Sequence, residues 1–228
     1  MKIFITEILD FLLPRLCPAC NKKLQPDETA VCSVCLGKIP AADGERLRHE
    51  FERKFATKNI ISGFTSLYVF EKNKELQGII HSLKYNQKFL TGKLLGEFLG
   101  KEKGKTFSLW QIDFIIPVPL HQLKKNERGY NQSYFIAKGI SKATGLKIKA
   151  GYLKRKRFTQ SQTSLNLKER EENMSGAFTA RYTEKLKGRN VLLIDDVITT
   201  GATITECGRV LVACGANKIY AAAVAIAD

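Results

Sequence analysis

The clearest hydrophobic pattern is the unbroken apolar run in Asn190-Val-Leu-Leu-Ile194. A short run with no polar alternation predicts a strand buried on both faces of a parallel sheet. Asp195–Gly201 reads as a turn, and a helix is predicted from about Ala202 to Cys214, with Gly215 as its cap. Ile204, Cys207, Leu211 and Cys214 share one stripe of that helix, so its two cysteines read as small core residues, too far apart to bridge. Lys218–Ile226 reads as a last hydrophobic strand, and Ser66–Phe70 as an early one. Leu76, Ile79, Ile80 and Leu83 recur at helical spacing, and Leu90, Leu94, Leu95 and Phe98 repeat the pattern in a second helix. Gly100–Lys105 reads as a charged turn. Asp113–Leu120 reads as a strand ended by Pro117, and a helix follows Gly129 until Thr144-Gly145 stops it. Residues 147–153 alternate weakly, as a strand would. Strands alternating with helices predict an α/β fold, a mainly parallel sheet flanked by helices.

The first residues follow another pattern. Phe4, Ile8, Leu12 and Leu16 fall on one stripe, while Glu7 and Asp10 interrupt the apolar stretch. This predicts an amphipathic helix and argues against a secretory segment. No apolar run approaches the roughly 20 residues that cross a bilayer, so no membrane span is expected. Without an export signal the expected compartment is reducing and cytoplasmic, and clustered cysteines there read as metal ligands before disulfides. Cys17-Pro-Ala-Cys20, eleven residues, and then Cys32-Ser-Val-Cys35 form a double C-x2-C. Two such knuckles supply four thiolates to one tetrahedral ion, which suits a structural Zn²⁺ with no position left open for substrate. An iron–sulfur cluster is the rival assignment. Ala42–Asn59 is polar and charged, and reads as a linker or a solvated helix. Two units are therefore expected, 1–45 holding a zinc-ribbon-like module and 60–228 holding the α/β domain.

Charge adds a class of partner. With 37 Lys+Arg against 22 Asp+Glu, the chain carries +15 over 228 residues. Such a surface attracts polyanions, phosphates above all. Gly104-Lys105-Thr106 has the look of a P-loop tail, but Leu99 stands where that motif needs glycine and no strand precedes it.

Chemistry concentrates in Asp195-Asp196-Val197-Ile198-Thr199-Thr200-Gly201-Ala202-Thr203, directly after the buried strand. A small hydroxyl-rich turn opening a helix lets main-chain N–H groups converge on one anion, and Gly201 frees the backbone to approach it. Two carboxylates just before the turn can accept hydrogen bonds from a ribose diol, or hold Mg²⁺ through water. Phosphate and diol together describe a ribose 5-phosphate.

The segment Val191–Thr203 resembles the phosphoribosyl pyrophosphate (PRPP) motif of type I phosphoribosyltransferases over thirteen residues. That resemblance implies ribose hydroxyls on Asp195 and Asp196, the 5-phosphate on Thr199–Thr203, and Mg²⁺ bound with PRPP. Ile116-Pro117-Val118-Pro119-Leu120-His121 and Arg128-Gly-Tyr-Asn131-Gln132 lie where such enzymes keep a pyrophosphate loop. Thr159-Gln-Ser-Gln162, with Leu165, Arg170 and Asn173, resembles their hood over the site. Lys84, Arg128 and the Lys154–Arg157 run are pyrophosphate candidates, the run reading equally as a solvated basic face. His121 reads as a hydrogen-bonded loop residue. With the four-Cys module and Leu83-Lys84-Tyr85, the whole chain resembles the ComF family, phosphoribosyltransferase homologues linked to DNA uptake. The catalytic part also resembles the phosphoribosyl half of glutamine amidophosphoribosyltransferase. No glutaminase domain or early nucleophilic Cys accompanies it, so release of ammonia from glutamine is not expected. Two roles follow: phosphoribosyl transfer to an unassigned acceptor, or nucleotide sensing by a protein that handles single-stranded DNA. For the second, the zinc module and hood cations would meet nucleic acid, with Tyr130, Tyr152 and Phe158 as stacking groups.

Overall fold

A computed structural model describes residues 14–70, 74–85, 89–157 and 174–227. The expected amphipathic stripe before Leu16, the hood residues Thr159–Asn173 and Phe158 lie outside them. In chain order the elements are α1 (Ser33–Gly37), α2 (Gly44–Lys54), β1 (Gly63–Phe70), α3 (Lys74–Tyr85), α4 (Phe89–Leu109), β2 (Phe114–Pro117), α5 (Gln122–Arg128) and α6 (Gln132–Thr144). There follow β3 (Lys147–Ile148), β4 (Leu153–Arg155), β5 (Phe178–Ala180), β6 (Asn190–Ile198), α7 (Ala202–Ala213) and β7 (Lys218–Ala227).

Five strands form one parallel sheet in the order β1-β7-β6-β2-β3, and β4 pairs with β5 in a separate antiparallel ribbon. The apolar run in β6 serves both faces. Leu192 and Ile194 join α3, α4 and α6 on one side, while Val191 and Leu193 join α7, the ribbon and Phe55 on the other. Fully burying each such Leu or Ile contributes about 1.5–3 kcal/mol, so the strand is fixed from both sides. β6 runs four residues further than its apolar core, because β7 offers partners as far as Ile226 opposite Ile198. The predicted turn Asp195–Gly201 therefore shrinks to Thr199–Gly201, and both aspartates stand on the strand.

Two further expectations change. Gly100–Lys105 is not a turn but continues α4 to Leu109. The glycines of this region serve packing: a Cβ on Gly96 would stand 2.0 Å from the Ile136 carbonyl oxygen, and one on Gly139 would stand 2.1 Å from that of Lys93. α4 and α6 thus touch backbone to backbone, and the P-loop-like Gly104-Lys105-Thr106 lies inside α4. The polar stretch 42–59 contains α2, capped by the Asp43 side chain on the Arg46 N–H. Its Leu47 and Phe51 pack with Phe55 onto the sheet.

Between the parallel strands β2 and β6 the connections diverge to opposite sides. The β2–β3 connection moves outward through α6 on one face, and the β6–β7 connection moves the other way through α7 on the opposite face. The ends of β2 and β6 therefore open onto a crevice at the topological switch point, where open α/β sheets bind ligands. Among the described residues no helix is long and apolar enough to cross a membrane.

Candidate functional site

Four elements deliver side chains to that crevice. β2 ends at Pro117, and the next residue, Val118, donates its main-chain N–H to the Ile194 carbonyl at 2.9 Å, which ties the β2 exit to β6. The Val118 carbonyl accepts from Asn131 Nδ2 at 2.9 Å, and Asn131 in turn caps α6. α6 presents Ser133, whose Oγ donates to Asp195 Oδ1 at 3.0 Å. The C-terminal turn of α3 brings Lys84 Nζ to 3.6 Å from Asp196 Oδ2. Tyr130 steadies that turn by donating its hydroxyl to the Leu83 carbonyl.

The two carboxylates differ in support. Asp195 Oδ1 also accepts the Asp196 N–H at 2.9 Å, and Asp196 Oδ1 accepts the Val197 N–H at 2.7 Å. Burial, and then the neighbouring Asp196 carboxylate, push the Asp195 carboxyl up to about 7, against the pull of its hydrogen bonds and Lys84. This pair is held as an acceptor set for hydroxyls or a cation. Beyond it, Thr199, Thr200 and Gly201 turn the chain into α7, with Gly201 in the left-handed region at φ 76°. Ala202 N–H points to Thr200 Oγ1 at 3.4 Å, and a small cavity of about 30 Å³ lies within the turn Asp195–Ile204. Beneath the turn lies the Phe55 ring, which a Cβ on Gly201 would strike at 2.7 Å. Glycine is required there for both reasons.

Arg155 reaches the same neighbourhood from β4. Its guanidinium lies over the Phe178 ring, 5.5 Å from the centroid, and lies within electrostatic reach of Asp195. Arg157 points elsewhere, donating to the Ser175 carbonyl at 2.9 Å. Arg128 sits in the last turn of α5, and His121 caps that helix by accepting the Leu123 N–H at 3.3 Å. Pro119 follows Val118 into the loop, and Gln162 lies outside the described residues. Tyr152 is buried against Phe114, with ring centroids 5.5 Å apart, and offers no open face for stacking. Sequence reasoning missed Ser133 and Phe55. No spacing connects Ser133 to Asp195, 62 residues away. Phe55 could have been found, because Leu47, Phe51 and Phe55 recur at i, i+4 and i+8.

The four-Cys cluster is assembled at the other end of α3. All four Sγ atoms lie within 4.8 Å of one another, and Cys20 and Cys32 Sγ are 3.8 Å apart. A tetrahedral ZnS₄ centre with Zn–S of about 2.3 Å has S···S edges of about 3.8 Å, so the residues fit Zn²⁺. Burial raises the Cys17 thiol, but main-chain hydrogen bonds from Cys32, Ala19 and Cys20 outweigh it and bring it to about 7, whereas burial pushes the Cys32 and Cys35 thiols up. The knuckle sits on α3 at Gly78, where a Cβ would be 2.8 Å from the Pro18 carbonyl oxygen. Cys17, Cys32 and Cys35 share one buried cluster with Leu76, Ile79 and Leu83.

Residues 131–227 match the phosphoribosyl transferase domain family. Competence protein F of Haemophilus influenzae is 30% identical over 145 residues, covering 62% of this chain and 63% of that protein. DNA utilization protein YhgH of Escherichia coli is 31% identical over 147 residues, 63% of this chain and 64% of that protein. These alignments span just under two thirds of the relatives' length. Competence protein ComFC of Streptococcus pneumoniae matches further, at 26% identity over 204 residues, 86% of this chain and 87% of that protein. The chain is thus similar to competence protein F, ComFC and YhgH, and it carries a phosphoribosyl transferase domain. Its α/β domain has the type I phosphoribosyltransferase fold, and the four-Cys cluster precedes it, as the resemblance implied. A solved glutamine phosphoribosylpyrophosphate amidotransferase from B. subtilis is 23% identical, with a TM-score of 0.41 over 64% of this chain and 27% of that one. The phosphoribosyl transferase domain match spans α6, β6, α7 and β7, the elements that supply Ser133, both aspartates and the Thr199–Thr203 turn.

Proposed function

We propose that this protein is a ComF-like phosphoribosyltransferase that binds PRPP, or a ribose 5-phosphate nucleotide, in the crevice at the ends of β2 and β6, and transfers the phosphoribosyl group. One observation carries the reading: paired carboxylates at the end of β6 stand directly before a glycine-opened turn at the start of an α-helix. In this reading Asp195 and Asp196 accept the ribose hydroxyls, and the main-chain N–H groups and hydroxyls of Thr199–Thr203 take the 5-phosphate. The loop Pro117–Pro119 and the cations Lys84, Arg128 and Arg155 face the pyrophosphate. Arg155 replaces Arg157 as the favoured cation of its run, because Arg157 is turned to Ser175. Mg²⁺, held by Asp195 and Asp196 through water, would spread charge on the leaving group. Zn²⁺ on Cys17, Cys20, Cys32 and Cys35 is structural. The names of the relatives support a role in competence and DNA uptake. Single-stranded DNA and the uptake machinery are then partners, with the protein in the cytoplasm.

Pyrophosphate release from PRPP, measured with a panel of purine and pyrimidine bases, tests the transferase reading. Turnover is expected with at least one acceptor, falling by about 100-fold or more in Asp195→Asn. The same variant should be more stable at pH 8. A carboxyl raised to about 7 in the fold favours folding below its unfolded value of 3.8 and loses that contribution as pH rises through 7. Removing the charge should thus raise the melting temperature at pH 8 and leave it nearly unchanged at pH 4. Lost turnover in a stabilised variant is a loss of the ligand site and not of the fold, whereas PRPP binding without turnover in the wild type would favour nucleotide sensing.

A further inference from the structure

β1 is an edge strand, and only half of its outer edge is covered. Ala42 N–H donates to the Leu67 carbonyl at 2.8 Å, and Val69 N–H donates to the Pro40 carbonyl at 3.4 Å. Residues 40–42 therefore pair antiparallel with the upper part of the strand. The chain then turns away into α2 at Gly44. Main-chain groups alternate in direction along a strand, so those of Gly63 and Thr65 face outward as those of Leu67 and Val69 do. Among the described residues no main-chain hydrogen bond occupies that outer side of Gly63 and Thr65.

A groove of about 490 Å³ lies at this uncovered half, with α2 on one bank and α4 on the other. Leu47 and Phe51 form one wall, and Thr106 and Trp110 form the other. The two charged residues among its described lining, Arg48 and Lys103, are both cationic.

We propose that this groove docks an extended acidic segment of a partner protein, added to β1 as a further strand. The floor dictates a peptide, because alternating N–H and C=O groups are complemented by another peptide main chain. It does not suit a nucleobase: Trp110 is stacked on Tyr220 with centroids 4.6 Å apart and planes at 12°, and Gly63 lies against its edge, so its ring is already engaged. The cations on opposite banks select acidic side chains, and they oppose a second copy of a chain that carries +15. An open edge is ordinarily an aggregation hazard. Here the cationic walls restrict what can pair with it.

Trp110 is the single tryptophan of the chain, so its fluorescence reports directly on the groove. The probe is a blocked pentapeptide of alternating valine and aspartate, compared with its lysine counterpart and with a main-chain N-methylated version. The aspartate peptide should shift Trp110 fluorescence saturably and slow hydrogen exchange at Gly63 and Thr65 at least tenfold. The lysine and N-methylated peptides should bind at least tenfold more weakly. Arg48→Glu with Lys103→Glu should reverse the preference toward the lysine peptide, with no change in PRPP binding. No fluorescence response at millimolar peptide, or indifference to N-methylation, would overturn the proposal. Displacement of the peptide by a single-stranded oligonucleotide would overturn it in favour of a nucleic-acid groove. Dimers in sedimentation, abolished by the double variant, would overturn it in favour of self-pairing.

Discussion

Cys35→Ser is expected to abolish zinc binding and lower the melting temperature by roughly 10 °C. Cys35 is 3% exposed, and its knuckle is part of the same buried cluster as α3 and the sheet. Structural zinc contributes about 10–16 kcal/mol of binding free energy in small zinc domains. Here the sheet retains its own core, so only part of that is at stake. A loss of about 3–5 kcal/mol corresponds to roughly 10 °C for a chain of this size. The damage should also reach the crevice, because the module buttresses α3 at Gly78 and α3 carries Lys84 toward Asp196. Metal analysis of the purified protein, with melting curves in the presence and absence of chelator, checks this. One zinc per chain in the wild type and none in the variant is expected. A visible charge-transfer band would identify an iron–sulfur cluster instead.

Glu50→Ala should be the most damaging change away from the cysteines. Glu50 is 1% exposed and faces three cations: Arg53 at 2.7 Å, Lys54 at 3.1 Å and Arg46 at 3.2 Å. Lys54, itself buried, also donates to the Ala227 carbonyl at 2.8 Å, fastening α2 to the end of β7. Removing the carboxylate strands a buried ammonium, which costs about 3–5 kcal/mol. Because Phe55 follows this clamp and lies under Gly201, the Thr199–Thr203 turn should loosen with it. Burial raises the Glu50 carboxyl, but Arg53 and Lys54 outweigh that and hold it below the ordinary range. A depressed carboxyl stabilises the fold above its unfolded value of 4.5, and that contribution is lost as pH falls through the folded value. Urea unfolding should therefore separate wild type from variant fully at pH 7 and progressively less below pH 4. Replacing Glu50 and Lys54 together by Met should recover most of the loss, because no charge is then left buried alone.

What the sequence made legible is what is written locally. The β6–α7 segment combines an apolar run, two acids and a glycine-opened turn within thirteen residues, so its elements could be read without any neighbour. The α3 stripe was equally plain, and all four of its apolar positions are buried. Elements whose causes are tertiary were not legible. Gly96 and Gly100 lie in α4 because α6 comes too close for a side chain, yet a lone sequence offers them as helix breakers. α2 is masked by its charges, which prove to be a clamp around Glu50. β4 and β5 pair across more than 20 intervening residues, and Leu153 opposite Ala180 has no periodic signature. In the candidate site, the acids and the turn were visible but their supports were not. Ser133 and Arg155 come to Asp195 from other elements, and only the fold brings them there.

On the proposed reading a phosphoribosyl ligand seats where β6 passes into α7. Amide NMR of the isotope-labelled protein, titrated with PRPP and Mg²⁺, tests it most directly. Saturable shifts are expected at the Thr199–Thr203 amides in the wild type, and none in Asp195→Asn at the same concentrations. Saturable binding that leaves those five amides unmoved would contradict it.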